Sequence, residues 1–182
     1  MKKVLASALL CAGLGSNVSA GDDIFTSKTF IGLELGYSEV QGDVGSLVDG
    51  EPVIEKNFTG DYDLQYGFRV GAQNESWRTT FIFDYYDSSD NNMNVEQGYF
   101  TVDYFILEKE STLRPYIGLN VGYANYESDY VDDSGFLYGA QAGIVLAAGE
   151  NINLDIGYRY SLSDIDSMDH IGSVVFAASY IF

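Results

Sequence analysis

The chain has 182 residues and a formal net charge of -18 at pH 7, because 27 acidic residues face only 9 lysines and arginines. This charge argues against nucleic acid as a partner, since binding phosphates needs a basic patch. The 15 tyrosines, 11 phenylalanines and 20 glycines, with only 2 prolines, favour strands and turns over helices.

The first 20 residues have the features of a cleaved secretory signal peptide. Met1 to Lys3 is basic, Val4 to Gly15 is apolar, and Val18-Ser19-Ala20 provides a cleavage site. The apolar run is about a dozen residues, short of the roughly 20 that a membrane-spanning helix needs. We therefore predict an exported protein that is cleaved after Ala20.

Cleavage removes Cys11, the single cysteine, and takes the net charge from -18 to -20 through loss of Lys2 and Lys3. The mature chain then has neither disulfides nor thiolate chemistry. Lipid attachment at Cys11 is the alternative, but Leu10 stands where a lipoprotein has a small residue.

After a short periplasmic tail over residues 21–28, the pattern predicts one domain over residues 29–182. In eight segments, apolar residues alternate with polar residues or glycine, the period of a strand. The predicted strands are Thr29–Val40, Asp61–Gln73, Trp77–Tyr86, Val95–Leu107, Leu113–Tyr123, Phe136–Ala147, Asn151–Leu162 and Gly172–Phe182.

The connections between these strands alternate in length. Long polar loops are predicted at residues 41–60, 87–94, 124–135 and 163–169, and short turns at residues 74–76, 108–112 and 148–150. Strands of about eleven residues, tilted near 40°, span a little over 25 Å, the height of an outer-membrane apolar band. Long loops outside and short turns in the periplasm are typical of such barrels.

A soluble lipocalin-like barrel has the same alternation with its faces reversed, so hydropathy alone leaves both architectures open. Glycine and charged residues dominate the less apolar face. Inside a narrow eight-stranded barrel, glycine leaves room for long side chains from opposite strands. The sequence therefore favours an all-β, antiparallel, up-and-down transmembrane barrel.

The last predicted strand ends on an aromatic residue and carries an apolar face of Val174, Phe176, Ala178, Tyr180 and Phe182. Such a strand resembles the signal by which outer-membrane β-barrels are recognised for assembly. The residues of that signal would be Phe176, Tyr180 and Phe182.

Over the whole mature chain, the sequence resembles the transmembrane domain of OmpA and the OmpX/opacity-protein group. Signal peptide, strand count, loop asymmetry and terminal Phe carry the resemblance. It implies a monomer that contacts outer-membrane lipid and lipopolysaccharide, is inserted by the barrel assembly machinery, and serves envelope integrity or surface interaction. Unlike full-length OmpA, the sequence ends at Phe182 without a peptidoglycan-binding domain.

The less apolar face carries all four arginines of the mature chain together with several carboxylates. Arginine suits a confined ion-pair network, because its guanidinium matches carboxylates bidentately. A pore lining or a catalytic cluster is the alternative, but eight strands leave an interior only wide enough for side chains. We expect Asp103, Arg114 and Arg78 to cluster near the periplasmic end. The predicted interior network is Glu34, Asp63, Arg69, Arg78, Asp84, Asp103, Arg114, Asp155 and Arg159.

An enzyme of the lipid-A-modifying kind is one alternative function. A deacylase needs a histidine and a serine on the same barrel face, but Ser173 lies three residues after His170 and so faces the opposite way. Ser167 could approach His170 from the preceding loop. The sequence has no glycine-rich phosphate loop and no His/Cys metal cluster, so we predict no cofactor. A small ion channel is the second alternative.

The leading prediction is a structural or adhesive surface protein with strongly acidic extracellular loops. Such loops attract divalent cations or cationic surface partners, although they could equally serve as a solvated rim that prevents aggregation. The candidate metal-binding residues are Asp129, Asp132, Asp133, Asp164, Asp166 and Asp169.

Overall fold

The computed structural model describes residues 27–48, 51–59, 63–88, 93–107, 111–128 and 131–182, with backbone alone for 42–48, 51–59, 88, 93, 128 and 131. The predicted signal peptide and most of the tail lie outside these ranges. Among the described residues, no helix is long and apolar enough to cross a membrane. The strands are β1 (Lys28–Val48), β2 (Glu51–Thr59), β3 (Asp63–Gln73), β4 (Trp77–Ser88), β5 (Met93–Phe105), β6 (Leu113–Ser128), β7 (Val131–Ala147), β8 (Ile152–Ser163) and β9 (Met168–Ile181).

These strands form one antiparallel sheet that closes on itself through the pairing of β1 with β9. On β1, Gln41 pairs with Thr59 of β2 and with His170 of β9, while Ile31 pairs with Val70 of β3 and with Tyr180 of β9. Since a strand residue has only two flanking neighbours, β2 and β3 lie on the same side of β1 and form one wall. The barrel therefore has eight walls, as predicted.

The two faces of the wall settle the choice between a membrane barrel and a soluble barrel. Leu33 is 71% exposed and Leu119 is 70% exposed, whereas the neighbouring Glu34 is 1% exposed and Asp103 is fully buried. Apolar side chains thus cover the outside and charged side chains fill the inside. This arrangement is the reverse of a soluble barrel and matches a barrel surrounded by lipid.

Aromatic residues pair across neighbouring strands on the outer face. Trp77 contacts Tyr104 with ring centroids 4.9 Å apart near the periplasmic turns, and Tyr123 contacts Phe136 at 5.5 Å near the extracellular end. Aromatic rings at both boundaries are typical of the girdles that flank the apolar band of an outer-membrane barrel.

Two of the predicted long loops are largely strand. β1 continues to Val48 and pairs with β2, so the prediction of a loop over residues 41–60 is wrong. Asp49-Gly50 joins two runs that contain valine, isoleucine and phenylalanine, and Asp-Gly between such runs is a strong hairpin signal. Similarly, β6 and β7 stay paired as far as Ser128 and Val131 within the predicted loop over residues 124–135.

The inner face is also less polar than predicted near the extracellular end. Side chains from most of the walls pack there into a buried apolar cluster. Its members are Val40, Ile82, Tyr86, Val95, Tyr99, Ala124, Tyr126, Leu137, Ile165, Met168 and Ile171. A smaller cluster of Phe105, Tyr116 and Val145 lies toward the periplasmic turns, and the charged residues occupy the space between the two clusters.

Glycines on the inner face lie beneath the large polar side chains. A Cβ at Gly67 would overlap the carboxylate of Asp84, and one at Gly118 would overlap that of Asp103. At Gly143, a Cβ would lie 2.6 Å from the Tyr116 hydroxyl and 2.5 Å from the Ile156 carbonyl oxygen. Because glycine has no side chain, these positions leave the space in which the interior network packs.

We predict that Gly143→Ala destabilises the barrel by about 1–3 kcal/mol, because the new methyl group overpacks the site and backbone cannot easily move away. The measurement is the urea midpoint of unfolding from lipid vesicles. Gly149→Ala is the control: a Cβ there meets no atom within 4 Å, so a change within about 0.5 kcal/mol is expected. Equal effects of the two substitutions would contradict the role of the inner glycines.

Candidate functional site: the barrel lumen and the extracellular rim

In the half of the lumen nearer the extracellular end, the charged side chains are arranged around Arg159 on β8. Its Nη2 lies 2.7 Å from Glu34 Oε1 on β1, and its Nη1 lies 2.8 Å from Asp84 Oδ2 on β4. The guanidinium also lies over the ring of Tyr99, 4.9 Å from its centroid. One arginine thus links three walls by charge-assisted hydrogen bonds, which are about twice as strong as neutral ones.

In the half of the lumen nearer the periplasmic turns, the charged side chains are arranged around Arg78 on β4. Its Nε donates to Asp103 Oδ2 at 2.8 Å, and its Nη1 donates to Asp155 Oδ2 at 2.6 Å. The Tyr116 hydroxyl donates to the other Asp155 oxygen at 2.9 Å, and the Tyr116 ring lies 4.5 Å from the Arg78 guanidinium. Both carboxylates are therefore neutralised within the lumen.

Two residues connect these parts into one network. Arg69 Nη1 lies 3.4 Å from Asp155 Oδ2 and 3.5 Å from Glu34 Oε2. Gln141 donates through Nε2 to Asp103 Oδ1 at 2.6 Å and accepts through Oε1 from Arg159 Nε at 3.2 Å. The interior network accordingly draws side chains from β1, β3, β4, β5, β6, β7 and β8.

Four carboxylates face three guanidiniums in this network, and every one of these residues is at most 7% exposed. Removing one partner of a buried ion pair typically costs about 3–5 kcal/mol, because the other charge stays uncompensated in a dry environment. The network consequently holds opposite walls at fixed positions.

Arg114 does not join the acids, contrary to the expectation that it pairs with Asp103. Its Nη2 donates to the carbonyl oxygens of Asn74 and Glu75, at 3.3 and 2.7 Å, and its guanidinium lies 3.7 Å from the Phe105 ring centroid. The strand register explains the difference. Asp103 pairs with Gly118, which lies four residues beyond Arg114, or about 13 Å of strand.

Asp63 also lies apart from the network. It is half-buried at the start of β3, and its Oδ1 accepts a hydrogen bond from the backbone N–H of Leu64 at 2.8 Å. The other predicted interior residues, Glu34, Arg69, Arg78, Asp84, Asp103, Asp155 and Arg159, lie together in the network as described above.

Little free space remains beside the network. A cavity of about 10 Å³ lies among Arg69, Tyr116, Gln141, Arg159 and Val175, enough for about one water molecule. The extracellular apolar cluster lies above it. Beside the network, the described side chains thus leave room for about one water molecule.

His170 and its neighbouring serines do not form a catalytic pair. β9 begins at Met168 rather than at Gly172, so His170 lies within the strand, and its ring contacts that of Tyr160 at a tilt of 37°, with centroids 5.1 Å apart. Ser173 is buried in the lumen, 2.8 Å from Ser38 Oγ. Ser167 donates to Asp133 Oδ2 at 3.2 Å, so its hydroxyl is engaged by a carboxylate.

The acidic candidates on the extracellular rim act partly as backbone acceptors. Asp164 Oδ1 accepts from the N–H of Phe136 at 2.5 Å, and Asp133 Oδ1 accepts from the N–H of Ser134 at 2.8 Å. Among the described residues, no group of three or more His, Cys, Asp or Glu side chains could hold a metal ion. Asp129 lies outside the described residues, and Asp132, Asp166 and Asp169 belong to no such group.

An exposed acidic row crosses four neighbouring strands at this end. Asp87 on β4 pairs with Asn94, Asn94 pairs with Glu127 on β6, and Glu127 pairs with Asp132 on β7. Glu96 on β5 lies two residues closer to the membrane than Asn94. Asp87, Glu96, Glu127 and Asp132, all exposed, are called the acidic row below.

No protein-family model matches the chain, and no curated protein sequence matches it significantly. Its fold is nevertheless similar to solved outer-membrane barrels. Neisserial surface protein A is 13% identical, with a TM-score of 0.65 over 87% of this chain and 100% of that protein.

Two Pseudomonas aeruginosa proteins are also similar in fold. The N-terminal β-barrel domain of OprF is 11% identical, with a TM-score of 0.58 over 86% of this chain and 100% of that one. Outer membrane protein H, OprH, is 20% identical, with a TM-score of 0.57 over 85% of this chain and 99% of that one. At these identities the likeness establishes the fold.

The outward apolar belt, the filled polar lumen and this fold define a small transmembrane β-barrel of the outer-membrane type. The chain is an eight-stranded outer-membrane barrel, and its localisation is the outer membrane.

Sequence reasoning missed the uncharged members of the network. Gln141 and Tyr116 stand at inward positions of their strands, so strand parity alone could have included them. Tyr99 and Ile82 also stand at inward positions, where large apolar residues were not expected. Their presence on the otherwise polar face was the signal that the lumen has an apolar layer.

We predict that Arg78 and Asp103 are energetically coupled, whereas Arg114 and Asp103 are not. In double-mutant cycles of Arg78→Gln with Asp103→Asn, the coupling energy should exceed about 1 kcal/mol, because the pair is buried and hydrogen-bonded. The cycle of Arg114→Gln with Asp103→Asn should be additive within about 0.5 kcal/mol, because the residues lie apart. Unfolding free energies from urea titration provide the measurement; similar coupling in both cycles would refute the interior geometry.

Proposed function

We propose that this protein is a non-catalytic surface protein. In this proposal the sealed barrel is a rigid membrane anchor, and the extracellular hairpins with their acidic row form the surface that binds cationic partners. The observation that carries the proposal is the contrast between the lumen, where arginines pair with most of the buried carboxylate charge, and the rim, where no described lysine or arginine pairs with the exposed carboxylates of the acidic row.

The sealed lumen favours an anchoring role over transport. Buried ion pairs rarely stabilise a fold more than apolar packing would, but they fix which side chains meet. A network that joins seven walls therefore gives the barrel a single rigid shape. Such a shape suits a protein whose function lies in what it presents outside.

The extracellular hairpins favour a binding role over a purely solvated rim. The ladder between β6 and β7 continues to Ser128 and Val131, so the carboxylates of Glu127 and Asp132 stand on paired backbone. A partner then finds these charges already positioned, and pre-organisation lowers the entropy lost on binding. Exposed like charges held close together also repel one another, and a cationic partner relieves that repulsion.

Envelope integrity is the second part of the proposal. A barrel with an apolar belt and a filled interior contributes mass to the membrane without opening a path through it. The assembly signal at Phe176, Tyr180 and Phe182 belongs to the same proposal: Phe182 donates its N–H to the Thr29 carbonyl oxygen at 2.9 Å, next to the pairing that closes the barrel.

A lipid-A-modifying enzyme receives less support. His170 contacts the Tyr160 ring on the outer face, and the carboxylates in the lumen are held by arginines. Divalent cations as partners of the rim also receive less support than cationic macromolecules, because the rim carboxylates of Asp133 and Asp164 already accept backbone N–H groups.

We predict that neutralising the acidic row weakens cell attachment to a polylysine-coated surface by about tenfold, since several exposed charge pairs of up to about 1 kcal/mol each are lost. The variant carries Asp87→Asn, Glu96→Gln, Glu127→Gln and Asp132→Asn. The measurement is the number of retained cells that express equal amounts of folded protein, in low salt and in 0.5 M salt, where screening should remove the difference.

The control removes four charges from the short turns predicted from the sequence, through Glu75→Gln, Glu108→Gln, Glu110→Gln and Glu150→Gln. Attachment should be unchanged in this control. If both variants bind polylysine as the wild type does, the acidic row is not the binding surface.

We also predict that the purified barrel gives no stable conductance steps in a planar lipid bilayer, because the cavity beside the network has room for only about one water molecule. Regular steps from the wild-type protein would favour the channel over the sealed anchor. A parallel recording with Arg159→Ala and Glu34→Ala tests whether removal of the upper ion pair opens a path.

A further inference from the structure

The two acids of the network that lie nearer the periplasmic turns are fully supplied with donors. Asp103 Oδ2 accepts from Arg78, and Asp103 Oδ1 accepts from Gln141. Asp155 Oδ2 accepts from Arg78, and Asp155 Oδ1 accepts from Tyr116. Every carboxylate oxygen in this half of the lumen therefore has a hydrogen bond, as a buried charge requires.

The other two acids, Glu34 and Asp84, are less well supplied. Both depend on Arg159, which donates one hydrogen bond to each of them. The second oxygen of each acid, Glu34 Oε2 and Asp84 Oδ1, is buried and accepts no hydrogen bond from the described residues. Arg69 Nη1 comes only to within 3.5 Å of Glu34 Oε2, and it lies 3.4 Å from Asp155. Two buried carboxylates thus share one guanidinium and part of a second.

Glu34 and Asp84 lie on either side of a glycine. Glu34 on β1 pairs with Gly67 on β3, and Gly67 pairs with Asp84 on β4, so the two acids belong to one row across three neighbouring strands. A Cβ at Gly67 would overlap Asp84 Oδ1. The oxygen of Asp84 that has no partner therefore lies over the glycine, towards the strand that carries Glu34.

The described strands around this pair bring no further cation to it. Beside Arg159 and Arg69, the neighbouring titratable group is Tyr99 on β5, whose hydroxyl donates to Gln97 Oε1 at 2.7 Å. On β9, Ala177 stands opposite Glu34, and β7 presents the neutral Gln141. The remaining charged or titratable groups of the lumen are Arg78 on β4, Asp103 on β5, Arg114 and Tyr116 on β6 and Asp155 on β8 towards the periplasmic turns, and Tyr86 on β4 and Tyr126 on β6 in the extracellular apolar cluster.

One proton would remove this imbalance of charge. When two carboxylates share a site away from water, repulsion between them favours a state in which one of them keeps a proton. A protonated carboxyl group is also a hydrogen-bond donor, so it can satisfy an oxygen that lacks a partner. Three guanidiniums then face three carboxylates in the network.

We propose that Glu34 and Asp84 form a proton-binding site, in which the two carboxyl groups share one proton at neutral pH. The proton comes from water when the barrel folds, adds to one carboxylate oxygen, and leaves both hydrogen bonds from Arg159 in place. Aspartate and glutamate in an unfolded chain are ionised at pH 7, so folding takes up one proton. Because the folded state binds more protons than the unfolded state, the stability of the barrel decreases as the pH rises through the neutral range.

The direct test is infrared spectroscopy of the mature barrel, refolded into a detergent without ester groups, in neutral heavy water. The carbonyl stretch of a protonated carboxyl group is separate from the bands of carboxylates and amides. Wild-type protein should show this band, since exposed acids are ionised at neutral pH. Asp84→Asn and Glu34→Gln should each lose it. Asp166→Asn is the matched control, because it removes an exposed carboxylate of the rim, and it should keep the band.

Urea unfolding from lipid vesicles, between about pH 6 and about pH 7.5, measures the proton uptake. The unfolding equilibrium constant of the wild type should increase about tenfold per pH unit, the dependence expected for one proton. Asp166→Asn should keep this dependence, and Asp84→Asn should lose it. His170 titrates in the same range, but it is present in every variant, so the comparison removes its contribution. If Asp84→Asn does not fold, Glu34→Gln provides the same comparison.

The absence of a protonated-carboxyl band from the wild type would overturn the proton site. A pH dependence that persists in both Asp84→Asn and Glu34→Gln would also overturn it, because the proton would then be held elsewhere. An unfolding constant that changes with sodium chloride but not with choline chloride, at fixed pH, would assign a metal cation to the two carboxylates in place of the proton.

Discussion

The structure depends on the pairing of β1 with β9, because a sheet in hydrocarbon cannot leave an edge open. Each unpaired N–H or carbonyl group there costs several kcal/mol, and closure satisfies them all along thirteen paired residues of β1. Closure also divides the side chains: alternate positions must face lipid, and the others must face a narrow interior. The exposed Leu33 and the buried Glu34 are neighbours in sequence for this reason.

The confined interior determines what the charged residues can do. Arg159, Arg78 and Arg69 cannot reach water, so each must find carboxylates within the lumen, and the inner glycines such as Gly67 and Gly118 leave the space for them. At the extracellular end the carboxylates of the acidic row are exposed, so water solvates their charge and leaves them accessible to a partner. The same residue types thus rigidify one part of the molecule and remain available in another.

Strand parity predicted the fold and most of the interior network, because period-two alternation survives any change in strand length. It could not predict which inward residues touch. Asp103 and Arg114 share a face and neighbouring strands, yet the register places Asp103 beside Gly118 and leaves Arg114 to the turn at Asn74 and Glu75. The hairpin of β1 and β2 was missed because polar composition outweighed the Asp49-Gly50 turn signal, and the apolar layer was missed because Ile82 and Tyr99 were not assigned to a face.

The ion network draws side chains from every wall except β9. The inward residues of that strand, among them Ser173, Val175, Ala177 and Ile181, are uncharged, and Ser173 hydrogen-bonds with Ser38 and Gln65. β9 therefore joins the barrel through backbone hydrogen bonds and uncharged side chains, and because Ser173 lies opposite Arg159 and Ala177 lies opposite Glu34, its insertion covers charges that the other walls supply. The other seven walls supply every charged side chain of the network, and the last strand closes the barrel with uncharged ones.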